Sequence, residues 1–250
     1  MILLLILLYS MSINRIREIV IPPIIKYFPG ASEIIASRND FLFKQFGALL
    51  PSSPATILNF GCSYNSFSDH LVQKGYNVVA LDVVDVSVAN VPVIVYDGED
   101  LESVSLPRID CALVSLCFHH IPRENHTNLF KQLLAKSDSV VLCEDLVCDA
   151  GKCNRNSICV RCMMHNVQFF GHPRAFGSEI QWERMIHAAD GHVMSKSKNQ
   201  EECIVAYKCV SCKTKPTEPT AHRGEAIAES FSLQSREKLG TSLSGEEIVT

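Results

Sequence analysis

Basic charge is in short supply. The 250 residues carry 23 Lys and Arg against 27 Asp and Glu, a net charge of −4 with a pI near 6.1. A nucleic-acid binder usually presents a basic patch or stripe, and no basic block is visible here, which argues against a nucleic-acid partner. A long hydrophobic run is also missing. The opening "MILLLILLYSMSI" is strongly apolar, but Met1–Tyr9 falls well short of the roughly 20 apolar residues a membrane span needs. It has neither the basic leader nor the small-residue cleavage site of a signal peptide. Residues 1–13 are expected to be an apolar cap on the fold or a weakly membrane-associating end. No disulfide framework is legible. The 11 cysteines are odd in number and scattered, and Cys111, Cys117, Cys143 and Cys203 lie inside apolar, strand-like runs. That pattern predicts reduced thiols in a cytoplasmic protein. There are no internal repeats.

Glycine is scarce where the chain would use it most. "ATILNFGCSYNSFSDHLVQKGYNVVALD", Ala55 to Asp82, has the outline of a nucleotide-binding βαβ unit: strand, tight turn, helix, and a second strand ending in an acid. Its turn, Gly61-Cys62-Ser63-Tyr64-Asn65, holds one glycine where such turns usually hold two or three. Gly61 lets backbone approach a ligand because it has no Cβ. Asn65 tolerates a left-handed conformation better than most residues, and Ser63 is small. Asp82, about 20 residues past the turn, is placed to accept both hydroxyls of a ribose. No Lys-Ser/Thr pair follows the turn, which excludes a P-loop. Spacing alone does not separate a dinucleotide from S-adenosylmethionine.

The rest of the chain supports a single α/β domain of ordinary to large size. Residues 12–50 have helical periodicity broken at Pro22-Pro23 and Pro29-Gly30, which predicts two helices forming an N-terminal cap over residues 1–50. Strands are expected over 56–60, 77–81, 91–96, 109–116 and 139–143, with helices over 66–74 and 123–135. Such alternation predicts a parallel sheet covered on both faces. Cys148–Phe176 breaks the rhythm and reads as an insertion over one end of the sheet. A helix over 178–189 follows, N-capped by Ser178 and ended by Gly191. Segments 192–196 and 202–210 form a final antiparallel pair. From Lys213 the chain is too polar to bury surface against its ordering entropy, so 213–250 is expected to be a disordered tail behind a domain spanning 51–212.

In order and spacing, "ILNFGCSYNS", "VVALDV", "VPVIVYDGEDL", "IDCALVSLCFHHIP" and "SVVLCEDL" resemble the class I S-adenosylmethionine-dependent methyltransferases. The likeness is to the small branch with a Tyr-Asp-Gly third strand and a His-His-Ile-Pro after the fourth. "HNVQFFGHPRAFGSEIQWERM" resembles that branch's later segments. The resemblance covers residues 55–210. It implies an α/β, Rossmann-like class I methyltransferase fold: a seven-stranded, mostly parallel sheet with an antiparallel last strand. It implies S-adenosylmethionine as cofactor. Asn59 to Asn65, with Gly61, Cys62 and Ser63, would wrap its methionine part. Asp82 would hold the ribose, Asp97 and Gly98 would border the adenine, and Ser115 to Cys117 would line the floor beside the sulfonium. The family usually has an acid at 59 and glycines at 63 and 65, where this chain has Asn59, Ser63 and Asn65. Losing the acid's charge should weaken cofactor binding by about 1–2 kcal/mol, roughly tenfold.

Methyl transfer mainly requires positioning and exclusion of water, with a general base for a hydroxyl or thiol acceptor. His119 and His120 follow the fourth strand and suit that role. The Asn/Asp-Pro-Pro-Tyr run of DNA amino-methylating enzymes is missing, and the Lys-Asp-Lys-Glu set of cap methyltransferases is not evident. With the apolar start and acidic balance, this favours a small-molecule or lipid-like acceptor over RNA or protein. A binding or scaffolding protein that kept the fold but lost catalysis is the rival reading. A nicotinamide oxidoreductase fits less well, because the turn lacks the third close-packing glycine. Two CxxC pairs, Cys159/Cys162 and Cys209/Cys212, have the residue types of a zinc site, with Cys148, Cys153 and His165 near the first. Their separation is far longer than in compact zinc ribbons, and the topology should put the two pairs at opposite ends of the strands, which argues against one shared site; free thiols with no metal are expected, with a local site among Cys148, Cys153, Cys159, Cys162 and His165 as the alternative.

Overall fold

The computed structural model describes residues 29–146, 175–199 and 203–212. Within them the elements run α1 (Ala31–Phe46), β1 (Thr56–Phe60), α2 (Ser66–Gln73), β2 (Asn77–Asp82), β3 (Val93–Val95), β4 (Cys111–Ser115), α3 (Arg123–Lys136), β5 (Val140–Asp145), α4 (Glu179–Ala188), β6 (Gly191–Asn199) and β7 (Ile204–Ser211). A short 3-10 turn, Phe118–His120, links β4 to α3.

The strands form one seven-stranded sheet in the order β3-β2-β1-β4-β5-β7-β6. Neighbours are parallel except β7, which runs antiparallel to both β5 and β6. The chain winds outward from β1 to β3, returns to β4 beside β1, and winds out the other way. The strand order therefore reverses between β1 and β4, the crevice where open α/β sheets bind ligands.

Strands inside such a sheet must be largely apolar on both faces, and the central strands β1, β4, β5 and β7 are. Leu58 and Phe60 of β1, Ala112 and Val114 of β4, Leu142 of β5 and Tyr207 of β7 pack with Leu129, Phe130 and Leu133 of α3 and Trp182 and Ile186 of α4. The alternate residues Ile57, Leu113, Val141 and Ala206 pack with Leu42 and Phe46 of α1 and Phe67 and Leu71 of α2. Each fully buried large side chain contributes about 1.5–3 kcal/mol.

Most expected elements are present, with ends shifted by a residue or a few. Ser178 caps α4 in a full capping box with Gln181. The exit from α4 differs from expectation: Asp190, at φ 60, takes the left-handed position, and Gly191 opens β6 instead. Gly191 is small for a packing reason, since a Cβ there would lie 2.9 Å from the Ile186 carbonyl oxygen. The first N-terminal helix, the apolar residues 1–13, nearly all of the 148–176 insertion and the tail lie outside the described residues. No described helix is long and apolar enough to cross a membrane.

Candidate active site

A cavity of about 400 Å³ opens beyond the carboxyl ends of β1, β2 and β4. Its floor is the turn after β1. Gly61, Ser63 and Asn65 have φ values of 69°, 53° and 65°. All three alternate positions are left-handed, although only one is glycine. Holding Ser63 and Asn65 there costs on the order of 1 kcal/mol each. The backbone is fixed by its neighbours: Gly61 and Cys62 N–H both donate to the Leu81 carbonyl, at 2.8 and 3.3 Å.

Asp82 ties the turn to β2. Its Oδ2 accepts from Ser63 N–H and its Oδ1 from Val83 N–H, both at 2.7 Å. Each oxygen keeps a second lone pair, and Asp82 lines the cavity. Asn59 also lines it. The Asn59 amide donates to Ser68 Oγ at 2.9 Å, which leaves its carbonyl oxygen for a ligand. Gly61 is small for a steric reason as well: a Cβ would lie 2.1 Å from Cys117 Sγ. Cys62 is buried, and burial together with nearby Asp82 pushes its thiol pKa up. Ser115 Oγ, on the cavity wall, is buried and has no hydrogen-bond partner among the described residues.

Of the expected site residues, Asn59, Gly61, Cys62, Ser63, Asp82, Gly98, Ser115, Cys117 and His120 line the cavity. Three do not. Asn65 is fully buried and anchors the turn from behind, its amide donating to the Val91 carbonyl at 2.6 Å. Asp97 is exposed, and its Oδ1 accepts from Glu99 and Asp100 N–H, which holds its carboxyl below the ordinary carboxylate range. It shapes the loop that delivers Gly98 rather than facing the cavity.

The third is His119. The histidine pair splits: His120 is exposed on the cavity, while His119 is buried behind it with Nδ1 2.7 Å from Glu144 Oε2. Burial alone would lower the His119 pKa, but the Glu144 carboxylate more than reverses this and raises it.

Several lining residues carry no obvious signal in the sequence. Arg38 and Leu42 reach the cavity from successive turns of α1. Asn39 places that helix by donating to the Ser66 carbonyl and Oγ, both at 3.2 Å. The Arg38 guanidinium lies over the Tyr64 ring, 5.8 Å from its centroid. Tyr96, whose phenol pKa is pushed up by burial, packs beside Phe60. Ile121, Pro122 and Asn125 complete the rim. The i, i+4 spacing of Arg38 and Leu42 puts both on one helix face, but nothing in the sequence says that this face meets the cavity.

The second CxxC pair does not converge on a site. Cys209 is buried in the core, where burial pushes its thiol up to about 12, whereas Cys212 is exposed. Cys209 pairs with Val140 at the start of β5, at the end of the sheet opposite the cavity. The first pair lies outside the described residues, and among those described no cluster has metal-binding composition.

Comparison with known proteins agrees with this fold. The family described as "Methyltransferase domain" matches residues 33–193, well over half of the chain. No curated protein matches in sequence. Among solved structures, the pyocyanin biosynthetic protein PhzM is similar at TM-score 0.56 and 13% identity, over 75% of this chain and 60% of that one. CalO1, a methyltransferase in calicheamicin biosynthesis in its SAH-bound form, gives 0.53 and 13%, over 72% and 55%. The PH0226 protein from Pyrococcus horikoshii OT3 gives 0.55 and 13%, over 75% and 97%. The chain thus spans a little over half the length of the first two. At these identities the likeness is one of fold, and the fold is the Rossmann-like methyltransferase architecture.

Proposed function

We propose that this chain, which belongs to the methyltransferase-domain family, binds S-adenosylmethionine in the cavity beyond β1 and β4 and transfers its methyl group to a small-molecule or lipid-like acceptor. One observation carries this reading. The turn keeps left-handed backbone at 61, 63 and 65 although two of the three glycines are gone. Strain of that kind persists where surrounding structure holds it, and here Asp82 and the Leu81 carbonyl hold it.

The lining fits such a cofactor. Asp82 retains lone pairs for ribose hydroxyls, and Gly98, with Tyr96, offers a flat border for a base. The Asn59 carbonyl oxygen is left for an ammonium group, and Arg38 provides a guanidinium for a carboxylate. The buried, unpartnered Ser115 Oγ is a further donor. When bound, the cofactor supplies an electrophilic methyl group on a sulfonium. The protein's part is to orient the acceptor against it and exclude water. His120, exposed on the cavity, is the residue placed to take a proton from a hydroxyl or thiol acceptor, and His119 is assigned a supporting role behind it. Free thiols among the described cysteines fit a reducing, cytoplasmic setting, and residues 1–13 are assigned weak membrane contact.

The acceptor class can be tested with methyl-labelled S-adenosylmethionine and a cell extract split into small-molecule, lipid, RNA and protein fractions. Label in the first two, lost in His120→Ala, supports the reading. Label in RNA or protein alone overturns the acceptor class. Cofactor binding without transfer to any fraction favours the rival reading, a binding protein on a retired catalytic fold, which Asn59 and the doubly engaged Asp82 motivate.

A further inference from the structure

The most heavily buried ionisable group near the cavity is one that the proposed chemistry leaves without a role. Glu144, at the end of β5, is fully buried, and both its carboxylate oxygens are engaged. Oε1 accepts from Cys117 N–H at 2.8 Å and from Phe118 N–H at 2.6 Å. Oε2 meets His119 Nδ1 at 2.7 Å. Three consecutive residues of the loop after β4 therefore hang on one side chain. That loop needs holding. Leu116, which precedes it, sits at φ 53, a left-handed conformation that a bulky residue rarely adopts. From it Cys117 and His120 face the cavity.

The hold extends further. The His119 ring stacks on Phe176 at 4.7 Å and 21°, and lies 4.1 Å from the His120 ring. Its carbonyl accepts from Ala175 N–H at 3.2 Å, and Arg123 donates to the Phe176 carbonyl at 2.6 Å. Desolvating a carboxylate this completely is costly unless hydrogen bonds and a counter-charge offset it, and here all three loop groups do so. An apolar residue at this buried position of β5 would fold more simply. A buried acid in this place is explained by what it arranges.

We propose that Glu144 is a positioning residue of the methyl-transfer site: it fixes the loop after β4 so that Cys117 and His120 line the cofactor and acceptor cavity. This rests on the cofactor reading above. Glu144 touches neither ligand and acts through the loop amides and His119. Among the described residues, the charged and titratable groups around His119 are Glu144 and Asp145 of β5 and His120 of its own turn.

The test uses the full chain with Glu144→Gln and Glu144→Ala. Binding of S-adenosylhomocysteine is measured by calorimetry, the Cys117 and Phe118 amide protons and the His119 ring by NMR, and melting temperature alongside. Glu144→Gln keeps an acceptor for the two amides but removes the charge. It should weaken binding about threefold, move both amide protons upfield and lower the His119 titration midpoint, with the chain still folded. Glu144→Ala should weaken binding at least tenfold, beyond any common loss expected from reduced stability. If Glu144→Ala does not fold, Glu144→Gln decides alone. Wild-type binding with Glu144→Gln indistinguishable from it in affinity and in both amide shifts overturns the positioning role and leaves the cofactor reading intact. Failure of the wild type to bind overturns the cofactor reading, and the positioning role falls with it.

Discussion

Two loops build the cavity, and they are held by opposite means. The turn after β1 keeps its shape through backbone: three alternate left-handed residues, main-chain bonds to Leu81, and a carboxylate at the cavity edge. The loop after β4 keeps its shape through a buried charge, Glu144, with His119 as partner. The first tolerates loss of glycine because its strain is spread over several weak restraints, each worth about 1 kcal/mol. The second concentrates its restraint in one side chain and should fail abruptly. Comparing the loops teaches that a degenerate motif in sequence need not be a degenerate site in space.

The largest effect is expected at Glu144. Glu144→Ala strands His119 and two amides without a partner, and should cost about 3–5 kcal/mol of stability in denaturant unfolding. The pair also predicts a pH signature. The folded-state pKa of His119 is raised above its ordinary value of 6.5. Its contribution to stability is therefore complete below about pH 6.5 and is lost as pH rises through the raised value. Unfolding curves from pH 5 to 9 should show this decline in the wild type and a flatter profile in Glu144→Gln.

Next in size is Gly61→Ala. The new methyl would collide with Cys117 Sγ in a backbone that already disfavours a side chain, for about 2–4 kcal/mol in thermal unfolding. Adding Cys117→Ala should recover part of that loss, because the clash is with sulfur. No recovery would put the strain in the backbone alone.

Asn59→Asp restores the charge the turn has lost. It should tighten S-adenosylhomocysteine binding by about 1–2 kcal/mol in calorimetry, provided Ser68 Oγ turns to donate to it. Smallest is Ser63→Gly, which relieves a left-handed serine and should stabilise the fold by about 1 kcal/mol. An unchanged melting temperature would show that the strain there is negligible.

The sheet was legible because its signal is local. Ile57, Leu58 and Phe60, or Val140 to Cys143, are apolar on both faces, and two-sided burial leaves no other reading of so short a run. The antiparallel pairing of the last two strands was legible from the residues, but that β7 also runs against β5 entered only through resemblance. Within the site, Asp82 and Gly61 were legible because fixed spacing from a strand end constrains them. Arg38 and Asn125 were not, because they come from helix surfaces whose facing depends on how α1 and α3 pack. Glu144 was visible as an acid closing an apolar strand, but its partners lie more than twenty residues upstream, and no local pattern joins them. His119 and His120 looked equivalent in sequence. Only the 3-10 turn separates a buried ring from an exposed one.

The most direct measurement is calorimetric titration of the full chain with S-adenosylhomocysteine, with Asp82→Ala as control. Micromolar binding is expected, weakened at least tenfold in Asp82→Ala, because the carboxylate proposed to accept the ribose is also the anchor of Ser63. No binding at millimolar ligand would contradict it: the left-handed turn would then be an architectural remnant, and the cavity would belong to some other molecule.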